Sequence, residues 1–503
     1  LSREWVITFP PLRTAPARSG RARREAGDSY AAALLLCVAG LTLFRVIALY
    51  ASNAELFFDE AQYWFWSREL AFGYYSKPPL IGWIIRGATE ICGQGEACIR
   101  LPSPLFHAAT AMVVYAIGRS LYDARIGFWS GLAYATLPGV SLSSSLISTD
   151  APLLLFVALG LLAVVKMQRD RSWVWALTLG LAIGFGLLAK YAMGYFLLCL
   201  AVYALWTRQG RALLRDARLY AALAIGAAMI APNIVWNAQH GFATLNHTAD
   251  NANWGRSLVH PNEALEFIGG QLGVFGPILF VSYLIYCLNW LRDPERRAEA
   301  GDAERLLLAF SLPVLLLMSA QAFLSRAHAN WAAFAYIAGT VLITAALTRE
   351  GWTRLFRTSL AIHIAAAIII GLGGMFAGQV TLGRIDPYAR VLGWKVLAEG
   401  AALKAREGGF RAIATDKRAL AAELLYYLRD DGLPVVAMRG DGPPGDHFEL
   451  THPLDATTPR PVMLVSFDRD PPPGGTLLGE AKIPAGLIRS RQVFYYSLPE
   501  SAR

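Results

Sequence analysis

The chain has 503 residues, 55% of them hydrophobic and only 17% charged, with a net charge of +9 at pH 7. That is too apolar for a soluble multidomain protein. It is not a nucleic-acid binder either: no basic run is interleaved with polar base-reading residues, and the arginines fall between apolar stretches.

Apolar stretches close to the ~20 residues that cross a bilayer recur from Ala31 to Ala377, the mark of a polytopic membrane protein. Residues 1–29 are polar and carry Arg13, Arg18, Arg21, Arg23 and Arg24. The apolar run at 30–50 is too long for a signal-peptide core and shows no cleavage site, so it is expected to be an uncleaved anchor with its N-terminus in the cytoplasm. Further spans are predicted near 101–118, 127–142, 151–166, 173–188, 191–206, 219–236, 264–290, 306–324, 331–347 and 358–377. The expected architecture is therefore an α-helical polytopic membrane protein with about 11–13 transmembrane helices. A shorter apolar segment at 79–91, edged by Lys77 and Arg86, reads as interfacial.

Charge supports this segmentation. One set of connections carries Arg119 and Arg125; Lys166, Arg169 and Arg171; Arg208, Arg211, Arg215 and Arg218; Arg292, Arg296, Arg297 and Arg305; Arg349, Arg354 and Arg357. The opposite set, beyond the 51–100 loop, carries only Lys190, Arg256 and Arg326. The positive-inside rule places the first set in the cytoplasm. The 51–100 loop then falls outside, as do Ser148–Pro152, Lys190-Tyr191, Trp236–His240 and His328–Trp331.

From about residue 378 the composition turns soluble. Helical periodicity at 388–406 and 417–430 and strand-like runs at 433–438 and 461–466, punctuated by Pro443-Pro444 and Pro471–Gly475, predict a small α/β domain over 378–503, outside the cytoplasm. The expected organisation is a basic segment 1–29, a membrane domain 30–377 holding the 51–100 loop, and this C-terminal domain. Cys37, Cys199 and Cys287 lie in apolar spans and read as small buried hydrophobes. Cys92 and Cys98 bracket a short loop and are a possible disulfide on an oxidising side.

The chemistry gathers at 57–83, where Asp59 and Glu60 are ringed by aromatics and Lys77 precedes Pro78-Pro79. Aromatics also collect at any membrane surface. Asp150 alone would serve as a helix cap ahead of Ala151-Pro152, and Lys190 alone as a snorkelling lysine. His240, His247, His260 and His328 lack the close helical spacing of a metal motif. Taken together, the acids and lysines stand where a lipid-linked substrate presents its head group. Lysine offers a compact charge for phosphate, a carboxylate can act as general base, and aromatics give flat surfaces for sugar rings. Transfer of a sugar from a lipid phosphate needs those parts, with electrostatic stabilisation of the leaving phosphate carrying most of the work.

Leu-Phe-Phe-Asp-Glu-Ala-Gln-Tyr-Trp-Phe-Trp at 56–66, Lys-Pro-Pro-Leu at 77–80 and Arg-Leu-Pro-Ser at 100–103 resemble the bacterial branch of the protein mannosyltransferase superfamily, which includes the lipid A aminoarabinose transferases. Thr-Asp-Ala-Pro-Leu at 149–153, Lys-Tyr at 190–191, Trp-Asn-Ala-Gln-His at 236–240 and His-Ala-Asn-Trp at 328–331 extend the match in order. The resemblance implies a GT-C fold in the bacterial inner membrane. It implies an inverting glycosyltransferase that moves a sugar from a polyprenyl-phosphate donor to lipid A, another glycolipid, a polysaccharide or a protein on the periplasmic side. By position it makes Asp59 the acid/base residue, oriented by Glu60 or Tyr63, with Asp150 the second acidic position. Lys77 would contact the donor phosphate, helped by Lys190 and Tyr191 and by Tyr63. His328 and Asn330 are expected to line the cavity, as is His240. Two positions depart from the aminoarabinose transferases: Gln62 replaces an arginine and Ser76 a glutamate. With that glutamate gone, no cofactor is expected, and a divalent metal has no support. A transporter of lipid-linked sugars is the alternative, although transporter charges tend to sit near the midplane within repeated halves, and no repeat is visible here.

Overall fold

A computed structural model of the chain describes residues 20–502 except 251–258, 350, 382, 384, 441, 485 and 487–490, with residues 20–26 described by backbone alone. Arg13, Arg18 and Arg256 lie outside the described residues, as do the side chains of Arg21, Arg23 and Arg24.

Each predicted span falls on helix. Among the described residues six helices are long and apolar enough to cross a membrane, or seven with a bent pair taken as one span. Three shorter apolar helices, Trp173–Ala189, Tyr191–Trp206 and Ala335–Arg349, account for part of the difference from the expected count. Two spans expected to be continuous are broken. The 127–142 stretch divides at Leu137, whose extended backbone (ψ 137°) precedes Pro138; proline's ring disfavours helix in the residue before it. The 264–290 stretch is a pair of helices, Pro261–Val274 and Pro277–Arg292, bent by 118°. Gly276 turns the chain there with φ +86°, and a Cβ on it would lie 2.1 Å from His363 Nε2, so only glycine fits.

The chain forms two compact units. One gathers the chain to Val46, Ser103–Ala238 and Thr248–Gly371; the other gathers Ile47–Pro102, Gln239–His247 and Leu372–Arg503. The grouping does not follow chain order. Residues 51–100, assigned above to the membrane domain, belong to the same unit as the C-terminal domain.

In the first unit, helices close on one another over small residues, as membrane helices do. A Cβ on Gly127 would meet the Tyr115 carbonyl oxygen at 2.6 Å, and one on Gly180 the Ala222 carbonyl oxygen at 2.9 Å. Buried Arg45 donates to the Ala135 carbonyl (2.6 Å) and Ser141 Oγ (3.0 Å), so its charge is solvated by protein dipoles.

In the second unit, a five-stranded sheet has the order β2-β1-β3-β5-β4, with β1 Ala412–Thr415, β2 Val435–Ala437, β3 Val462–Ser466, β4 Thr476–Lys482 and β5 Gln492–Ser497. Strands β1–β3 are parallel, whereas β5 runs antiparallel to β3 and β4. Helices Trp394–Glu407 and Arg418–Tyr427 bury Leu397, Ala401, Leu420 and Leu424 with Ile413, Met463 and Val465 of the sheet. The 51–100 segment is bound in by polar contacts: Trp64 Nε1 donates to Gln94 Oε1 (2.7 Å), Tyr426 Oη to the Gln94 carbonyl (3.0 Å), and the Trp394 N–H to Glu55 Oε2 (2.6 Å). Tyr74 stacks on Trp66 at 4.6 Å, and His447 meets both rings edge-on. Helix Leu80–Cys92 turns Ile81, Ile85 and Thr89 inward at four-residue spacing, and Cys92 is disulfide-bonded to Cys98.

Candidate active site

The second unit holds Asp59, Glu60, Tyr63, Lys77 and His240 of the predicted site; the first holds Asp150, Lys190, Tyr191, His328 and Asn330. Each set is described within its own unit.

The helix Phe58–Arg68 carries both acids in its first turn, at the positive end of the helix dipole. Neighbouring residues on a helix point in different directions, and the two acids have opposite surroundings. Glu60 is buried with both oxygens occupied. Arg100 donates to Oε1 from Nε (2.9 Å) and to Oε2 from Nη2 (2.7 Å), and the Phe57 N–H donates to Oε2 (2.9 Å). Arg100 also donates to the Ala54 and Glu55 carbonyls at 2.8 and 2.7 Å, fixing the approach to the helix.

Asp59 is 38% exposed. Its Oδ1 accepts a 2.9 Å bond from Nη1 of Arg418, while Oδ2 has no hydrogen-bond partner among the described residues. The same Nη1 donates to Gln62 Oε1 at 2.8 Å, and Gln62 Nε2 reaches Ser76 Oγ at 3.4 Å. The two departures noted in the sequence therefore touch each other. Tyr63 is buried against Trp66 at 5.2 Å. Lys77 is half-buried and its carbonyl accepts the Tyr74 N–H at 3.1 Å; His240 is exposed just past the end of helix Ala217–Gln239.

In the first unit, Asp150 begins helix Asp150–Met167, but its carboxylate oxygens bond side chains. Lys190 Nζ donates to Oδ1 and Asn330 Nδ2 to Oδ2, both at 2.7 Å. Geometry thus replaces both bland readings: Asp150 holds a lysine, and Lys190 closes helix Trp173–Ala189 in extended conformation with its ammonium fixed. Tyr191 is not in that cluster. Its hydroxyl donates to Asn233 Oδ1 (2.7 Å) and accepts from Asn237 Nδ2 (3.2 Å). His328 is exposed and meets Trp331 edge-on at 5.4 Å. Among the described residues no three His, Cys, Asp or Glu side chains gather as a metal cage. Sequence reasoning quoted Arg100 without a role and missed Arg418 and Asn233 altogether.

The dolichyl-phosphate-mannose-protein mannosyltransferase family profile matches residues 76–236. The lipid A galacturonosyltransferase RgtD of Rhizobium johnstonii is 38% identical over 434 residues, 86% of this chain and 90% of that protein. The undecaprenyl phosphate-α-4-amino-4-deoxy-L-arabinose arabinosyl transferase of Pseudomonas aeruginosa is 30% identical over 32% of this chain and 30% of its own length. In fold, the chain is similar to ArnT from Cupriavidus metallidurans, solved with undecaprenyl phosphate, with a TM-score of 0.65 at 18% identity over 93% of this chain and 98% of that one. Apolar spans, this fold and these relatives define a multi-pass membrane glycosyltransferase, and the transporter alternative falls away. The chain belongs to the bacterial branch of the protein mannosyltransferase superfamily, the GT-C glycosyltransferases.

Proposed function

We propose that this enzyme transfers a uronic acid, galacturonic acid in the first instance, from a polyprenyl-phosphate carrier to lipid A on the periplasmic side of the inner membrane, inverting the anomeric centre. The sugar and acceptor follow from the likeness to the lipid A galacturonosyltransferase, and the carrier from the likeness to the undecaprenyl-phosphate arabinosyl transferase. The side of the membrane follows from the arginine asymmetry between connections.

One observation carries the assignment of roles. Of two adjacent acids, Glu60 has both oxygens engaged in the interior, whereas Asp59 offers an open Oδ2. Asp59 is the base. An acceptor hydroxyl oxygen attacks the anomeric carbon, the bond from that carbon to the phosphate oxygen breaks, and the phosphate leaves with the electron pair. The hydroxyl proton passes to Asp59 Oδ2. Glu60 positions the helix through Arg100. Lys77, stiffened by Pro78-Pro79, neutralises the leaving phosphate; Tyr63, on the helix that carries Asp59, packs against Trp66. Asp150 is a positioning acid that holds Lys190 rigid, and Lys190 can share its remaining protons with a phosphate. Tyr191 helps Lys190 at the donor phosphate, and His328 and Asn330 line the substrate path.

Mass spectrometry of lipid A from cells expressing wild type or Asp59→Asn at equal levels tests this. The expected result is loss of one hexuronic acid increment in the variant, with undecorated lipid A accumulating. Wild-type lipid A from the variant would remove Asp59 as the base; a missing increment of another mass would correct the sugar.

A further inference from the structure

Arg418 begins the helix Arg418–Tyr427 and is 36% exposed on its side chain. It spends a single nitrogen on its neighbours: Nη1 serves both Asp59 Oδ1 and Gln62 Oε1, while Nε and Nη2 have no hydrogen-bond partner among the described residues. Its guanidinium lies over the Phe58 ring, with Cζ 4.8 Å from the ring centroid. Beside it, the exposed Arg390 lies over Phe57 at 4.5 Å, also without a hydrogen-bond partner for its guanidinium among the described residues. Phe57 and Phe58 are themselves 4.0 Å apart between ring centroids. Two cations thus stand over a pair of aromatic rings next to an acid, with one fork half used.

Electrostatics alone does not require this. One arginine neutralises Asp59; a second leaves a net positive patch. The unused edge of a guanidinium matches a carboxylate, which accepts two parallel hydrogen bonds from it. A neutral hexose has no such group, whereas a uronic acid carries one at C6.

We propose that Arg418, with Arg390 beside it, reads the C6 carboxylate of the donor sugar and selects a uronic acid over the matching neutral hexose. This rests on the reading that Asp59 stands at the reacting carbon and that the donor is a uronosyl lipid. Arg418 then has two anions, Asp59 on Nη1 and the sugar carboxylate on Nε and Nη2. One residue both orients the base and sets the sugar's rotation about its carrier bond.

The test uses full-length enzyme in nanodiscs with two synthetic donors, undecaprenyl-phosphate galacturonate and undecaprenyl-phosphate galactose, which differ only at C6. Wild type is expected to prefer the uronate. In Arg418→Gln, kcat/KM for the uronate should fall roughly 10- to 100-fold, the range for a lost charge-assisted bond, and the ratio between donors should collapse toward one. Arg418→Lys, which keeps the charge and loses the fork, should fall between. Undecaprenyl phosphate alone, which has no carboxylate, checks folding: it should bind Arg418→Gln as it binds wild type, and if it does not, Arg418→Lys carries the test. A retained preference for the uronate overturns the inference. So does an equal loss with both donors, which would make Arg418 a positioning residue for Asp59, and so does a change confined to KM for lipid A. A wild-type enzyme that turns over galactose and refuses the uronate would instead overturn the donor reading itself.

Discussion

Asp59 and Glu60 are adjacent, carry the same charge and invite the same mutation, yet the structure predicts opposite signatures for them. Glu60 and Arg100 are 3% and 4% exposed, and four hydrogen bonds from Arg100 join them to each other and to the carbonyls that lead into the helix. Removing one partner of a buried pair leaves the other charge uncompensated, at a cost of about 3–5 kcal/mol. Glu60→Ala should therefore lose about that much stability, read as the shift in a urea unfolding midpoint in mixed micelles multiplied by the slope. The double variant Glu60→Ala/Arg100→Met should lose much less than the sum of the singles, because neither charge is stranded. The Asp59–Arg418 pair is over one-third exposed at both ends and is worth about 0.2–1 kcal/mol at most. Asp59→Asn should barely move the midpoint, yet it should lower kcat by about 10²–10⁴-fold as a general base is lost. The refuting result is the reverse pairing: a Glu60→Ala enzyme as stable as wild type, or an Asp59→Asn enzyme whose lost activity tracks lost stability.

Asp150→Asn should weaken the hold on Lys190 and raise KM for the donor more than it lowers kcat; a pure kcat effect in steady-state kinetics would contradict the positioning role. Cys92→Ser/Cys98→Ser opens a closed loop of seven residues and should cost about 2 kcal/mol by the chain-entropy relation, checked by thermal unfolding with and without reductant. Glu423 is fully buried, burial pushes its carboxyl well above the usual range, and among the described residues neither of its oxygens has a hydrogen-bond partner. The folded state keeps that proton after the unfolded chain has released its own, so stability falls as pH rises above the ordinary glutamate value, by at most about 1.4 kcal/mol per pH unit. Glu423→Gln should remove that slope and stabilise the protein at pH 8, measured by thermal midpoint. His447 acts at the other end of the range: burial pushes its imidazole down to about 3. The unfolded chain takes up a proton below about pH 6.5 that the fold refuses, so stability falls with decreasing pH in that window. Replacing it with Gln should flatten the acid limb of the pH–stability curve.

The membrane spans were legible because length and apolarity act locally, and the places where they were misread are local too. Gly276 followed by Pro277 is a visible break inside an apolar run; hydropathy averages over it, while backbone geometry does not. The C-terminal helices and strands β2 and β3 were readable from periodicity. Strand β4, with its exposed and half-buried residues, lacks a hydrophobic alternation strong enough to announce itself. The grouping of 51–100 with the C-terminal domain was not legible at all. It depends on pairs such as Gln94–Tyr426 and Glu55–Trp394, whose partners lie hundreds of residues apart with no periodicity connecting them. Arg418 was missed for the same reason: 359 positions separate it from Asp59.

An acid doublet at the start of a helix has a further meaning. A base must be ionised at working pH and must reach solvent or substrate, and an exposed carboxylate on a mobile loop meets both conditions without holding a fixed position. A buried one is fixed but unreachable. Successive residues on a helix diverge by about 100°, so two acids in a row can divide these demands between them. Here Glu60 turns inward, locks Arg100 and with it the carbonyls of residues 54 and 55, and so fixes the helix end to which Asp59 is attached. Asp59 turns outward with one oxygen tethered and one open. Substituting either acid by the other's amide therefore should not give two versions of one defect: the inner change loosens the frame, and the outer one removes the proton acceptor from a frame that stays intact.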